Sequence, residues 1–193
     1  MDDHYTSYKD RFIEIIIDSF EGNPSVLDVV KQDRRVATRI RRLAEYAFQF
    51  GERREANYLS SDRDGIVIGY VEDMKRSLKD HWWNTKLILQ VAGVERAGYL
   101  LKKEAYRKKI RPQEPFFYIW FIGVETSKRG GNCIKELKKW VFDQAEQLQL
   151  PILLETTIEK NKKAYEYHGF SVYHVHRFHP NTPPTYFMKK ELT

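Results

Sequence analysis

The chain has 193 residues, 41% hydrophobic, 14% aromatic and 31% charged, a length and composition that suit one domain with a proper core and exclude a disordered or low-complexity chain. Lys and Arg exceed Asp and Glu by 33 to 27, too small an excess to require a nucleic-acid partner, and no apolar run reaches the length of a membrane span. One cysteine precludes an internal disulfide; with the acidic opening Met1-Asp2-Asp3-His4 it leads us to expect no signal peptide and a cytoplasmic protein.

Tyr8 to Glu21 carries Phe12, Ile15, Ile16 and Phe20 on one face and Asp10, Glu14 and Asp18 at helical spacing, which predicts an amphipathic helix. Gly22-Asn23-Pro24 ends it, with Asn23 or Ser25 as a cap for the next segment. Asp33 to Phe50 is predicted as a second helix, capped by Asp33 and buried through Val36, Ile40, Leu43, Ala44, Ala47 and Phe48. Its arginines Arg34, Arg35, Arg39, Arg41 and Arg42 read as a solvated face. Ala56 to Ser60 and Ile66 to Val71 are predicted strands, joined by the hairpin turn Asp62-Arg63-Asp64-Gly65.

Glu72 to Lys109 predicts two more helices, near Asp73 to Gln90 and Val94 to Lys109. Their rings Trp82, Trp83, Tyr99 and Tyr106 either pack the helices onto a sheet or line a lid over a substrate site. Arg111 to Pro115 is a turn. Phe116 to Val124 is an unbroken apolar and aromatic run, the mark of a strand buried on both faces. Lys128-Arg129-Gly130-Gly131-Asn132-Cys133 comes next as a glycine turn, and Ile134 to Gln149 has helical periodicity through Ile134, Leu137, Val141, Ala145 and Leu148. Pro151 to Thr156 reads as the next strand and Asn161 to His168 as a short helix ended by Gly169. Ser171 to Phe178 and Thr185 to Lys190 are predicted strands.

A strand feeding a glycine turn and a helix N-terminus is a phosphate-binding device, because the first helical turn has unpaired N–H groups and a positive dipole end. The Gly-Lys-Ser/Thr ending of a P-loop and the three spaced glycines of a dinucleotide site are both missing here. The arrangement instead resembles the GCN5-related N-acetyltransferase (GNAT) superfamily, in which a Gln/Arg-x-x-Gly-x-Gly/Ala turn holds the pyrophosphate of acetyl-CoA. Lys128, Gly131 and Cys133 occupy the matching positions, with lysine and cysteine departing from the pattern. Tyr165-Glu166-Tyr167-His168-Gly169-Phe170 resembles the family's Tyr-Glu-x-x-Gly-Phe ending.

The resemblance runs from about Tyr118 to the C-terminus. It implies one GNAT-like α/β (α+β) domain over residues 1–193, with a helical insertion at about 72–111. Its sheet would be mixed and mostly antiparallel, flanked by helices, with Phe116–Glu125 and Pro151–Thr156 as splayed central parallel strands. The family's first edge strand is not evident. The implied activity is N-acetyl (acyl) transfer from acetyl-CoA to an amine acceptor, with the alternative of an inactive acyl-CoA-binding sensor. A monomer or homodimer without metal is expected; His174, His176 and His179 invite a metal reading, but no further cluster supports it.

The resemblance assigns backbone at Ile122, Gly123 and Val124 to the pantetheine arm, and Lys128, Arg129, Gly130, Gly131, Asn132 and Cys133 to the pyrophosphate. Asn161 would contact CoA, or cap the helix from Lys162. Cys133 matches a position that must stay small, so its thiol is not assigned as a nucleophile. Tyr165 matches the tyrosine that protonates the leaving thiolate, with Tyr167 on another helical face. For the general base, Glu155 is expected with a raised pKa and Glu125 is the rival; an ordinary carboxylate paired with Lys or Arg is the other reading of Glu155.

Overall fold

A computed structural model of the chain describes residues 3–72 and 91–192. Its helices are α1 (Asp3–Phe20), α2 (Pro24–Val29), α3 (Val36–Glu52), α4 (Val94–Ile110), α5 (Cys133–Leu148) and α6 (Glu159–Tyr167). Its strands are β1 (Asn57–Leu59), β2 (Gly65–Glu72), β3 (Phe116–Val124), β4 (Ile152–Thr156), β5 (Ser171–His176) and β6 (Thr185–Lys190). They form one six-stranded sheet in the order β1-β2-β3-β4-β6-β5, antiparallel except for the central parallel pair β3–β4. The expected mixed sheet and parallel centre are therefore present. No strand precedes β1 among the described residues, and α1 opens the described chain where the family begins with a strand.

Each face of the sheet has its own core. Phe12, Ile15 and Ile16 of α1 and Ala44, Ala47 and Phe48 of α3 pack on Ile66, Ile68 and Phe121. On the opposite face Leu137, Val141 and Ala145 of α5 cover Val67, Phe117, Ile119, Ile152 and Leu154. The alternation along β4 and β2 places these sets back to back, as the period of two requires. Burying a side chain of this size contributes about 1.5–3 kcal/mol relative to exposure.

Two boundaries differ from expectation for visible reasons. Helix α3 starts at Val36, because the Asp33 carboxylate accepts the Arg35 N–H at 2.9 Å and the Arg39 guanidinium at 2.8 Å in a turn ahead of the helix. Helix α6 starts at Glu159 with Ile158 as its cap, so Asn161 lies inside the first turn and is not the cap. Asn23 does cap α2, accepting the Ser25 N–H at 2.9 Å. The expected helix at Asp73 to Gln90, with Trp82 and Trp83, lies outside the described residues, while α4 matches the second expected helix.

Candidate active site

The two central strands part company halfway along. Parallel pairing joins Phe117–Ile119 to Ile152–Leu154 and stops, yet β3 continues to Val124 and β4 to Thr156. Beyond Ile119, the β3 edge that faces β4 has no strand partner among the described residues, which makes it a template for an extended ligand. The register with β2 steps from Ile68↔Phe121 to Gly69↔Ile119, so Trp120 is a bulge residue that turns the strand at the split. Ile122 and Val124 lean on the α5-side core. Gly123 is buried against α1, where a Cβ would stand 2.3 Å from Ser19 Oγ.

The glycine turn lies at the end of this edge. Thr126–Lys128 form a 3₁₀ turn, Lys128 N–H donates to the Glu125 carbonyl at 2.9 Å, and Gly131 N–H donates to the Lys128 carbonyl at 3.2 Å. Gly130 has φ +92°, a conformation in which an L side chain is strained. Lys128, Arg129, Gly130, Gly131 and Asn132 are exposed, and α5 begins at the buried Cys133. Burial pushes the Cys133 thiol up, helped by Asp62 and Asp64, so it stays protonated.

Helix α1 anchors this turn. Asp18 accepts the Thr126 N–H at 2.5 Å, and Arg11 pairs with Glu125 and Asp64. The hydrogen bond from Arg11 holds the Glu125 carboxyl below its ordinary value. Arg11 and Asp18 went unassigned in the sequence because their charges read as the wet face of an amphipathic helix.

Glu155 departs from the expectation of a base with raised pKa. Its carboxylate is buried between α4 and the sheet, where Arg111 Nη2 donates to Oε1 at 2.5 Å and Arg107 Nε lies 2.7 Å from Oε2. The Arg107 contact is ionic, without hydrogen-bond alignment at either atom. Burial pushes the Glu155 carboxyl up, but the charges of Arg107 and Arg111 outweigh it and hold the group below its ordinary value. Of its two sequence readings, the arginine-paired one describes the geometry.

Tyr165 is half-buried on α6 and packs on the α5-side core, its ring edge-on to Phe170 at 5.6 Å. Burial pushes its phenol up to about 12, so it holds its proton at neutral pH. Tyr167 is exposed on another face of the helix, and Asn161 is exposed in its first turn. His174 Nε2 lies 2.9 Å from the Tyr106 hydroxyl and His176 stacks on the Tyr106 ring at 3.9 Å, so Tyr106 packs α4 against β5.

No family profile matches the chain, and no curated protein matches it in sequence. Its fold does have solved counterparts. "Histone acetyltransferase HPA2 and related acetyltransferase" from Corynebacterium glutamicum is 16% identical with a TM-score of 0.70, over 97% of this chain and 92% of that one. The polyamine N-acetyltransferase of Drosophila melanogaster, which forms N-acetylagmatine, is 12% identical with a TM-score of 0.67 over 96% of each chain. Arylalkylamine N-acetyltransferase 2 of Aedes aegypti is 13% identical with a TM-score of 0.64, over 97% of this chain and 96% of that one. The split parallel pair and these counterparts define the class: the chain has the GNAT acetyltransferase fold.

Proposed function

We propose that this protein is a cytoplasmic N-acetyltransferase that moves an acetyl group from acetyl-CoA to the amine of an acceptor. The observation that carries this reading is the split of β3 from β4 after Ile119↔Leu154, which ends at an exposed glycine turn entering α5. Among the described residues no helix is long and apolar enough to cross a membrane.

The chain's groups fit acetyl-CoA. The free β3 edge at Ile122, Gly123 and Val124 would hold the pantetheine arm by strand-like hydrogen bonds. The turn from Gly130 to Cys133 would receive the pyrophosphate, with Lys128 and Arg129 adding charge and Asn161 a polar contact from α6. The cosubstrate supplies an activated acetyl thioester. Tyr165, protonated and desolvated, serves as the acid that delivers a proton to the departing sulfur. Arginine partners lower the pKa of both Glu155 and Glu125, which makes them weak bases, so the acceptor amine loses its proton to water. Turnover then rises with pH toward the acceptor's own pKa, with no step in the carboxylate range.

Tyr165→Phe tests the reading, since it removes one hydroxyl and keeps the ring on Phe170. With an amine panel and release of free CoA thiol as readout, turnover should fall on the order of 10²–10⁴-fold with acetyl-CoA affinity nearly unchanged. Parental turnover in a variant whose rate is limited by chemistry would remove Tyr165 from the mechanism. Gly131→Val separately tests the turn: a Cβ there would stand 3.2 Å from the Lys128 carbonyl, and acetyl-CoA affinity should drop while the fold persists.

A further inference from the structure

A small cavity of about 10 Å³ opens past the end of β4, lined by Ser25 and Asp28 of α2, Lys103 of α4, Thr157, and Phe178 and Thr185 around the β5–β6 connection. It is far smaller than the roughly 300–1,000 Å³ of drug-sized sites, so it takes no more than one small polar group. Lys103 is its buried charge, with a side chain only 4% exposed. The ammonium donates to Asp28 Oδ2 at 2.5 Å and lies 4.8 Å from the centroid of the Phe178 ring. An ammonium has three N–H donors, and Asp28 accepts one of them.

Asp28 has no matching capacity for a new cation. Its Oδ2 also accepts from the Tyr99 hydroxyl at 2.9 Å, its Oδ1 lies 3.1 Å from that hydroxyl, and Arg96 stands 3.7 Å away. Two cations, Arg96 and Lys103, face the one carboxylate of Asp28. Among these described residues one positive charge is left over. An entering ammonium would meet an engaged carboxylate and a resident cation. An entering carboxylate would meet Lys103 and a hydroxyl pair, Ser25 Oγ and Thr157 Oγ1 at 3.0 Å, of which only one proton is spent between them.

We propose that this cavity binds the acid group of the acceptor, which makes the acceptor a small primary amine carrying a carboxylate, an amino acid or ω-amino acid. The amine half rests on the acetyltransferase reading; the carboxylate half is measurable without turnover. Thr157 of the cavity follows directly on β4, the strand that parts from β3 after Leu154, so an acid held there would direct the amine end of a short molecule toward the cleft.

Calorimetric titration of the full chain with N-acetyl-β-alanine and N-propylacetamide compares two probes that differ in the acid group. The acid probe should bind at least about 10-fold tighter, and Lys103→Gln should erase that margin. Where Lys103→Gln alone does not fold, the Asp28→Asn/Lys103→Gln pair removes both charges together and is expected to erase the same margin. Equal binding of the two probes, binding of neither, or an acid preference that survives loss of Lys103 overturns the proposal. In turnover, β-alanine should exceed propylamine by about 10-fold in kcat/KM. A diamine such as putrescine outrunning β-alanine overturns the proposal as well. A Lys103-dependent acid preference in binding, with no amine acetylated, sustains the subsite and defeats the acetyltransferase reading.

Discussion

The sheet face that meets α1, α3 and α4 is built in two unlike halves. Under α1 and α3 it is aliphatic and aromatic: Phe12 and Phe48 meet edge to face at 5.4 Å over Ile66 and Ile68, and all four are essentially fully buried. Under α4 the same depth holds ions, with the Glu155 and Arg111 side chains each 8% exposed. The apolar half gains by removing hydrocarbon from water. The ionic half recovers little net free energy, because desolvating the charges offsets most of their attraction.

The comparison is sharpened most by the largest substitution. Phe12→Ala or Phe48→Ala should cost about 3–5 kcal/mol in chemical denaturation, with no second change that restores it short of refilling the space. Glu155→Gln, which leaves Arg107 and Arg111 facing a neutral amide, should cost about 3 kcal/mol. Here a rescue exists: replacing all three with Leu and Met should bring stability back to the parental value or above. If the triple variant is no better than Glu155→Gln, the two halves are not built on different terms.

Smaller again is the cap of α2, the helix that presents Ser25 and Asp28 to the ionic half. Asn23→Ala should cost about 1 kcal/mol, read by denaturation. The smallest effect is in pH. Glu155 has a folded pKa below its unfolded value, so its contribution is fully present above the unfolded pKa near 4.3 and is lost as pH falls through the folded one. Because burial opposes the arginines, the slope should be shallow, and Glu155→Gln should flatten it. An unchanged acid limb in that variant would place the titrating group elsewhere.

Much of the fold was legible because the elements that build it have clear periods. Phe116–Val124 is one apolar run and β6 falls on its expected residues, since apolar runs and strand alternation are local patterns. The glycine turn was legible as a turn ahead of a helix, and Gly130 does take a positive φ just before α5. The partners of Glu155 were not, because Arg107 and Arg111 stand more than forty residues away on a helix whose charges look solvated in sequence. Asp28 was hidden in the same way: its ion pair with Lys103 spans 75 positions. Helix starts moved where a side chain captured the backbone first, as Asp33 does ahead of α3.

Asp18 and Arg11 reach the β3–α5 turn across 108 and 114 positions of chain. That separation has a kinetic consequence. The turn gains its clasp only after α1 and the end of β3 have both been made and docked, so it belongs to the late, high-contact-order part of folding. The same clasp runs backwards at equilibrium: whatever steadies the turn must steady α1. A ligand seated there should slow amide hydrogen exchange in the opening helix, far from it along the chain, by the free energy with which it favours the docked state. The first helix thus reports occupancy of a loop encoded in the second half of the sequence.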